Sequence, residues 1–129
     1  MNPFEEHKEI LNRIEPGSAE RCNQSFRPIF PDLVDHVVSD IYGFAYSREQ
    51  IAIKTRQLLT LAILSTMGDC NIQLKFHLRA ALHLGLQAHE IKEVFVQVAV
   101  LAGNVRAINA ASIFFDLQTE IAQQCQPTD

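Results

Sequence analysis

Cationic residues are too few for a nucleic-acid footprint: 11 Lys and Arg stand against 15 Asp and Glu, a formal net charge of −4, with no basic stripe to track phosphates. No stretch reaches the roughly 18 uninterrupted apolar residues of a membrane span. The first twenty residues hold Glu5, Glu6, Lys8, Glu9, Arg13, Glu15 and Glu20, which excludes the apolar centre of a secretory signal there. Cysteine is scarce and odd in number. Cys22, Cys70 and Cys125 are too far apart for a Cys-x-x-Cys pair, so neither a disulfide framework nor a metal site is expected. With only five Pro and five Gly and 20% charged residues, disorder is not expected, and no alternating apolar and polar run is long enough for a strand. What is left is a reduced, cytoplasmic protein of 129 residues with 47% hydrophobic residues, the length of one domain.

Helical spacing dominates what is present. Pro3 to Ile14 reads as a surface helix with Phe4, Ile10, Leu11 and Ile14 on one side. Pro16-Gly17-Ser18 stops it, and Ser18 starts a second short turn. Pro28 and Pro31 interrupt any helix, so residues 1–30 read as an arm lying over the core. From Pro31 the spacing of Leu33, Val34, Val37, Val38, Ile41 and Phe44 is helical. Tyr46 to Ile53 is a linker. Lys54 to Met67 is apolar all round in its second half, which suits an interior or an intersubunit position. Helices follow at about Asn71 to Leu84, at Gln87 to Ala102 and at Val105 to about Gln123, the last burying Val105, Ile108, Ile113, Leu117 and Ile121. Each of the five glycines falls at a proposed helix end. The expected architecture is an all-α bundle of about six to seven helices, with the main body at residues 31–123 and a flexible tail at 124–129. Four consecutive segments with wide apolar faces imply that some of this surface meets another subunit.

Chemistry concentrates where the two central helices join, in Gly68-Asp69-Cys70-Asn71-Ile72-Gln73-Leu74-Lys75-Phe76-His77. At 100° per residue Cys70, Gln73 and His77 fall at roughly 0°, 300° and 340°, on one side of a helix that includes its first turn. A thiol at a helix N-terminus gains thiolate character, and an imidazole two turns along is a general acid or base near neutral pH. A small buried cysteine and a histidine satisfied in the core explain the same residues without any reaction.

The run Lys54-Thr55-Arg56-Gln57-Leu58-Leu59-Thr60-Leu61-Ala62, followed by His77-Leu78-Arg79-Ala80-Ala81-Leu82, Gly85, Glu90-Ile91-Lys92-Glu93-Val94, Gln97-Val98-Ala99, Gly103 and Asn109-Ala110, resembles the carboxymuconolactone decarboxylase family, which includes the alkylhydroperoxidase D-like proteins. The resemblance spans roughly residues 31 to 120. It implies an all-helical fold that assembles through helical hairpins, commonly as a trimer of dimers and hence a hexamer, with active sites near subunit contacts.

It also implies two chemistries. Redox members carry a Cys-x-x-Cys-x-x-x-His element with a Glu about one helix earlier; decarboxylase members lack the cysteine pair and act on a lactone acid without a cofactor. On that pattern Cys70 matches the first cysteine, Gln73 stands where the second would be, and His77 matches the histidine. Gln57 takes the place of the glutamate, and Val105 that of a proline common after the Ala-Gly element. Loss of the second thiol removes the intramolecular disulfide that lets a dithiol peroxidase turn over, and a Gln amide can orient a group but cannot titrate. The expectation is therefore cofactor-independent decarboxylation of a small carboxylated lactone or related acid. His77 returns the proton, Gln57 serves as an amide donor, and Arg56 or Arg79 anchors the carboxylate, with Gln73 also at the substrate. The alternatives are a non-catalytic oligomeric scaffold and a peroxidase-like protein that uses Cys70 with an external thiol.

Overall fold

Asn2 opens the first helix by accepting a hydrogen bond on Oδ1 from the backbone N–H of Glu5 at 2.9 Å, and Pro3 fits the first helical position, whose N–H needs no partner. In the computed structural model, which describes residues 2–125, seven α-helices and one π-helical stretch follow one another with no strand among the described residues. They are α1 (Pro3–Ile14), α2 (Ser18–Phe26), α3 (Pro31–Val37) running into the π-helical stretch Val38–Ala45, α4 (Ile53–Met67), α5 (Asn71–His83), α6 (Ala88–Leu101) and α7 (Asn104–Gln124). The fold is all-α. The flexible tail expected at 124–129 lies outside the described residues beyond Cys125.

The chain forms two compact units, residues 1–56 and 57–129. In the first, α1 buries Phe4, Leu11 and Ile14 and packs most extensively on the π-helical stretch. The second turn expected at Ser18 is a nine-residue helix. It is tied down where Ser18 Oγ donates to Leu11 O at 2.9 Å and Asn12 Oδ1 accepts from the Ala19 N–H at 3.1 Å.

Beyond α3 the expected continuous α-helix widens. The Tyr46 N–H reaches back five residues to Ile41 O at 2.9 Å. Val34, Val38, Tyr42 and Tyr46 are all buried, although they are spaced by four throughout. Four residues are slightly more than one α turn and less than one π turn, so the drift in one part of this helix cancels the drift in the other and the stripe stays inward. Gly43 therefore does not end a helix, as its position in the sequence suggests. It is glycine because α1 lies against it: a Cβ there would sit 2.6 Å from Cδ2 of His7.

In the second unit the core is built around Leu61, Leu78, Ile91, Phe114 and Leu117, all at or near zero exposure, with α7 packed on both α5 and α6. The Gln87 N–H donates to Glu90 Oε1 at 3.0 Å, so the first turn of α6 is closed by its own side chain. Helix α7 buries Leu117 as expected, with Ile113 and Ile121 packed against the core, but its first two turns face inward differently. Ala107, Ala110, Phe114 and Leu117 are buried, while Val105 and Ile108 are 72% and 64% exposed. The alanines let α7 approach its neighbours closely, and that packing outweighs the larger but outward apolar residues. Truncating Leu78 to Ala should lower unfolding free energy by about 2–5 kcal/mol, read as a shifted urea midpoint at unchanged slope.

Candidate active site

The buried polar centre of the second unit joins one side chain of α4 to one of α5. Gln57 is fully enclosed and His77 only 6% exposed. Gln57 Nε2 donates to the backbone O of His77 at 2.6 Å and lies 3.1 Å from His77 Nδ1. A carbonyl oxygen can only accept, so the amide end facing it is the NH2 group, and the second hydrogen of that group points to Nδ1. Nδ1 is then the acceptor and the imidazole carries its proton on Nε2. Burial pushes the His77 pKa down to about 4, so the ring is neutral at pH 7. It lies nearly perpendicular to the Phe76 ring, at 5.0 Å between centroids and an interplanar angle of 87°.

The other residues expected at the site are distributed around this pair. Cys70 is the residue before α5 rather than part of its first turn, with φ −132° and ψ 47°, and its Sγ donates to Leu64 O at 3.3 Å. A helical wheel begun at Cys70 is therefore out of phase. Cys70 is half-buried in the α4–α5 turn, Gln73 is exposed and His77, one turn further along α5, is buried. Arg56 is half-buried at the start of α4 and Arg79 half-buried on α5, where two residues of helix set it about 200° from His77. All three cysteines are free.

A cavity of about 390 Å³ opens beside Cys70, between the end of α4, the start of α5 and one side of α7. Its polar wall includes Asn71, Arg106, Asn109 and Ser112, and neither His77 nor Gln57 lines it. None of these four was anticipated. Arg106, Asn109 and Asp116 recur at helical spacing along α7, and that polar stripe was the available signal, hidden between two apolar ones.

Residues 33–116 match the model of the carboxymuconolactone decarboxylase family. The chain belongs to this family. A 4-carboxymuconolactone decarboxylase of Acinetobacter baylyi is 30% identical over 115 residues, covering 86% of this chain and 84% of that protein. The matched segment contains the whole α4–α5 hairpin, so the buried amide and imidazole lie within the family's own region. In this member the pair is Gln57 and His77. The Gln57 amide fixes the ring's tautomer and has no titratable proton to exchange.

Proposed function

We propose that the protein is a cofactor-independent decarboxylase acting on a small carboxylated lactone, with His77 Nε2–H as donor to the oxygen that gains charge. The Gln57–His77 pair carries the proposal, and the likeness to a 4-carboxymuconolactone decarboxylase supports it. As the carbon–carboxyl bond breaks, its electron pair moves through the unsaturated ring toward the lactone carbonyl oxygen and CO2 departs. A donor aimed at that oxygen stabilises the transition state more than the ground state. A neutral imidazole is suited to this because it offers a hydrogen bond without surrendering its proton. The carbon then takes a proton from water, which leaves hydroxide. This role differs from that of the proton carrier suggested by the imidazole alone, and the fixed tautomer is the reason.

The test is loss of the lactone's ultraviolet absorbance with release of CO2, measured on the purified protein with 4-carboxymuconolactone. Decarboxylation no faster than in buffer would overturn the reading. Whichever of Arg56 and Arg79 anchors the substrate carboxylate should reveal itself on replacement by Ala as a raised KM, roughly 10-fold or more for one charge-assisted bond. In this reading Cys70→Ser leaves turnover unchanged, whereas hydroperoxide consumption with an added thiol, lost in Cys70→Ser, would favour the peroxidase alternative.

The scaffold reading draws on the same burial, since 6% exposure of His77 leaves little of the ring for a substrate to touch. Both readings include a homo-oligomer, for which we propose the trimer of dimers implied by the family resemblance. On α4, Leu59, Ile63 and Met67 lie one turn apart and are 52%, 59% and 61% exposed; on α7, Val105, Ile108 and Phe115 are 72%, 64% and 67% exposed. Such stripes suit helix-on-helix packing between copies. Ile63→Glu and Ile108→Glu should each reduce the assembly measured by light scattering, and a wild-type monomer at micromolar concentration would remove the oligomer from both readings.

A further inference from the structure

The cavity beside Cys70 combines features that the decarboxylase reading does not use. Arg106 on its wall is half-buried, yet among the described residues it makes neither an ion pair nor a hydrogen bond. Its guanidinium lies against the backbone of Gly68, a position that a Cβ on residue 68 would occupy. Gly68 has φ +71°, so the turn is glycine both for its left-handed backbone and for the room it gives this side chain. A half-buried guanidinium with no carboxylate or carbonyl acceptor keeps its charge and its donors available to a ligand that enters the cavity.

The groups around it are chemically specific. The amides of Asn71 and Asn109 supply further donors, while Leu64, Leu74 and Ile113 make the rest of the wall apolar. Ser112 Oγ already donates to Ile108 O at 2.9 Å, which leaves its oxygen to accept. Two carboxylates, Asp69 and Asp116, also line the cavity and are exposed. They repel any anion there, and a doubly charged one more strongly than a singly charged one.

We propose that this cavity binds a small organic monocarboxylate, with Arg106 as the anchor of its carboxylate. The planar guanidinium fork pairs with both carboxylate oxygens, the two amides approach the same oxygens from the side, and an apolar body of a few carbons rests on Leu64, Leu74 and Ile113. Asp69 and Asp116 select one charge over two. The inference stands on the cavity alone and is independent of the chemistry at His77.

Benzoate is the probe, with benzamide as its neutral counterpart and phthalate as its doubly charged one, each titrated into full-length protein and followed by amide and guanidinium nitrogen–proton resonances. Benzoate should shift the Arg106 Nε signal and the side-chain amides of Asn71 and Asn109, and should bind at least about 10-fold more tightly than benzamide or phthalate. Arg106→Gln should weaken benzoate about 10-fold or more while leaving circular dichroism unchanged. Bound benzoate should also slow alkylation of Cys70 but not of Cys125, read by mass spectrometry. Equal binding of benzoate and benzamide overturns the proposal, as does the absence of shifts at these residues with benzoate at millimolar excess. The benzoate and benzamide comparison on the wild type decides the matter even if Arg106→Gln does not fold.

Discussion

Replacing His77 by Ala is expected to lower kcat for 4-carboxymuconolactone by about 100- to 1,000-fold, the usual cost of one donor to a developing oxyanion, with KM nearly unchanged. The effect falls on kcat because the hydrogen bond strengthens only as charge reaches the carbonyl oxygen. His77→Gln should retain more activity than His77→Ala, since an amide can donate from a similar place. Gln57→Leu tests the tautomer. It leaves the ring free to carry its proton on Nδ1, so kcat should fall although no group that touches the substrate has changed. Activity in His77→Ala equal to the wild type would remove His77 from the reaction.

Acid should weaken the fold more steeply than its surface charge requires. His77 titrates at about 4 when folded, against an ordinary value of 6.5. Between these values the unfolded chain binds a proton that the folded chain does not, so stability rises with pH across this window. The contribution is complete above pH 6.5 and is lost as pH falls toward 4, on the order of 3 kcal/mol at 1.36 kcal/mol per unit. Set against a typical total of about 5–15 kcal/mol, that loss is large. Urea unfolding at pH 7 and pH 4.5 measures it, and His77→Gln, which cannot charge, isolates it from the carboxylates. An equal drop in wild type and variant would mean that the histidine is not what fails in acid.

The start and stop of nearly every helix were legible in the sequence because punctuation residues act locally. Pro3 and Ile14 bound α1 as expected, and the left-handed glycines at 17, 68, 85 and 103 fall where helices change over. The inward face of a helix was less legible. Along α7 both the Val105 and Ile108 side and the Ala107 and Ala110 side are apolar, and only the neighbouring helices decide between them. The site shows the same limit. Gln57 and His77 are twenty positions apart, and the resemblance, rather than any period, brought them together. The common face drawn for Cys70, Gln73 and His77 assumed that the helix begins at Cys70. Cys70 instead precedes that helix with a non-helical backbone, and Arg106, being distant in sequence, gave no sign that it faces the same turn.

The π-helical stretch Val38–Ala45 also bears on how chain length varies among relatives. Its hydrogen-bonded rings enclose one residue more than α-helical rings do, so it holds an extra residue within a helix whose flanks remain in place. A relative with one residue fewer between 38 and 45 would run through this stretch as an ordinary α-helix and still bring the equivalent of Tyr46 to nearly the same azimuth. Gains and losses of residues are normally confined to loops; in this lineage an alignment gap is expected in the middle of a helix.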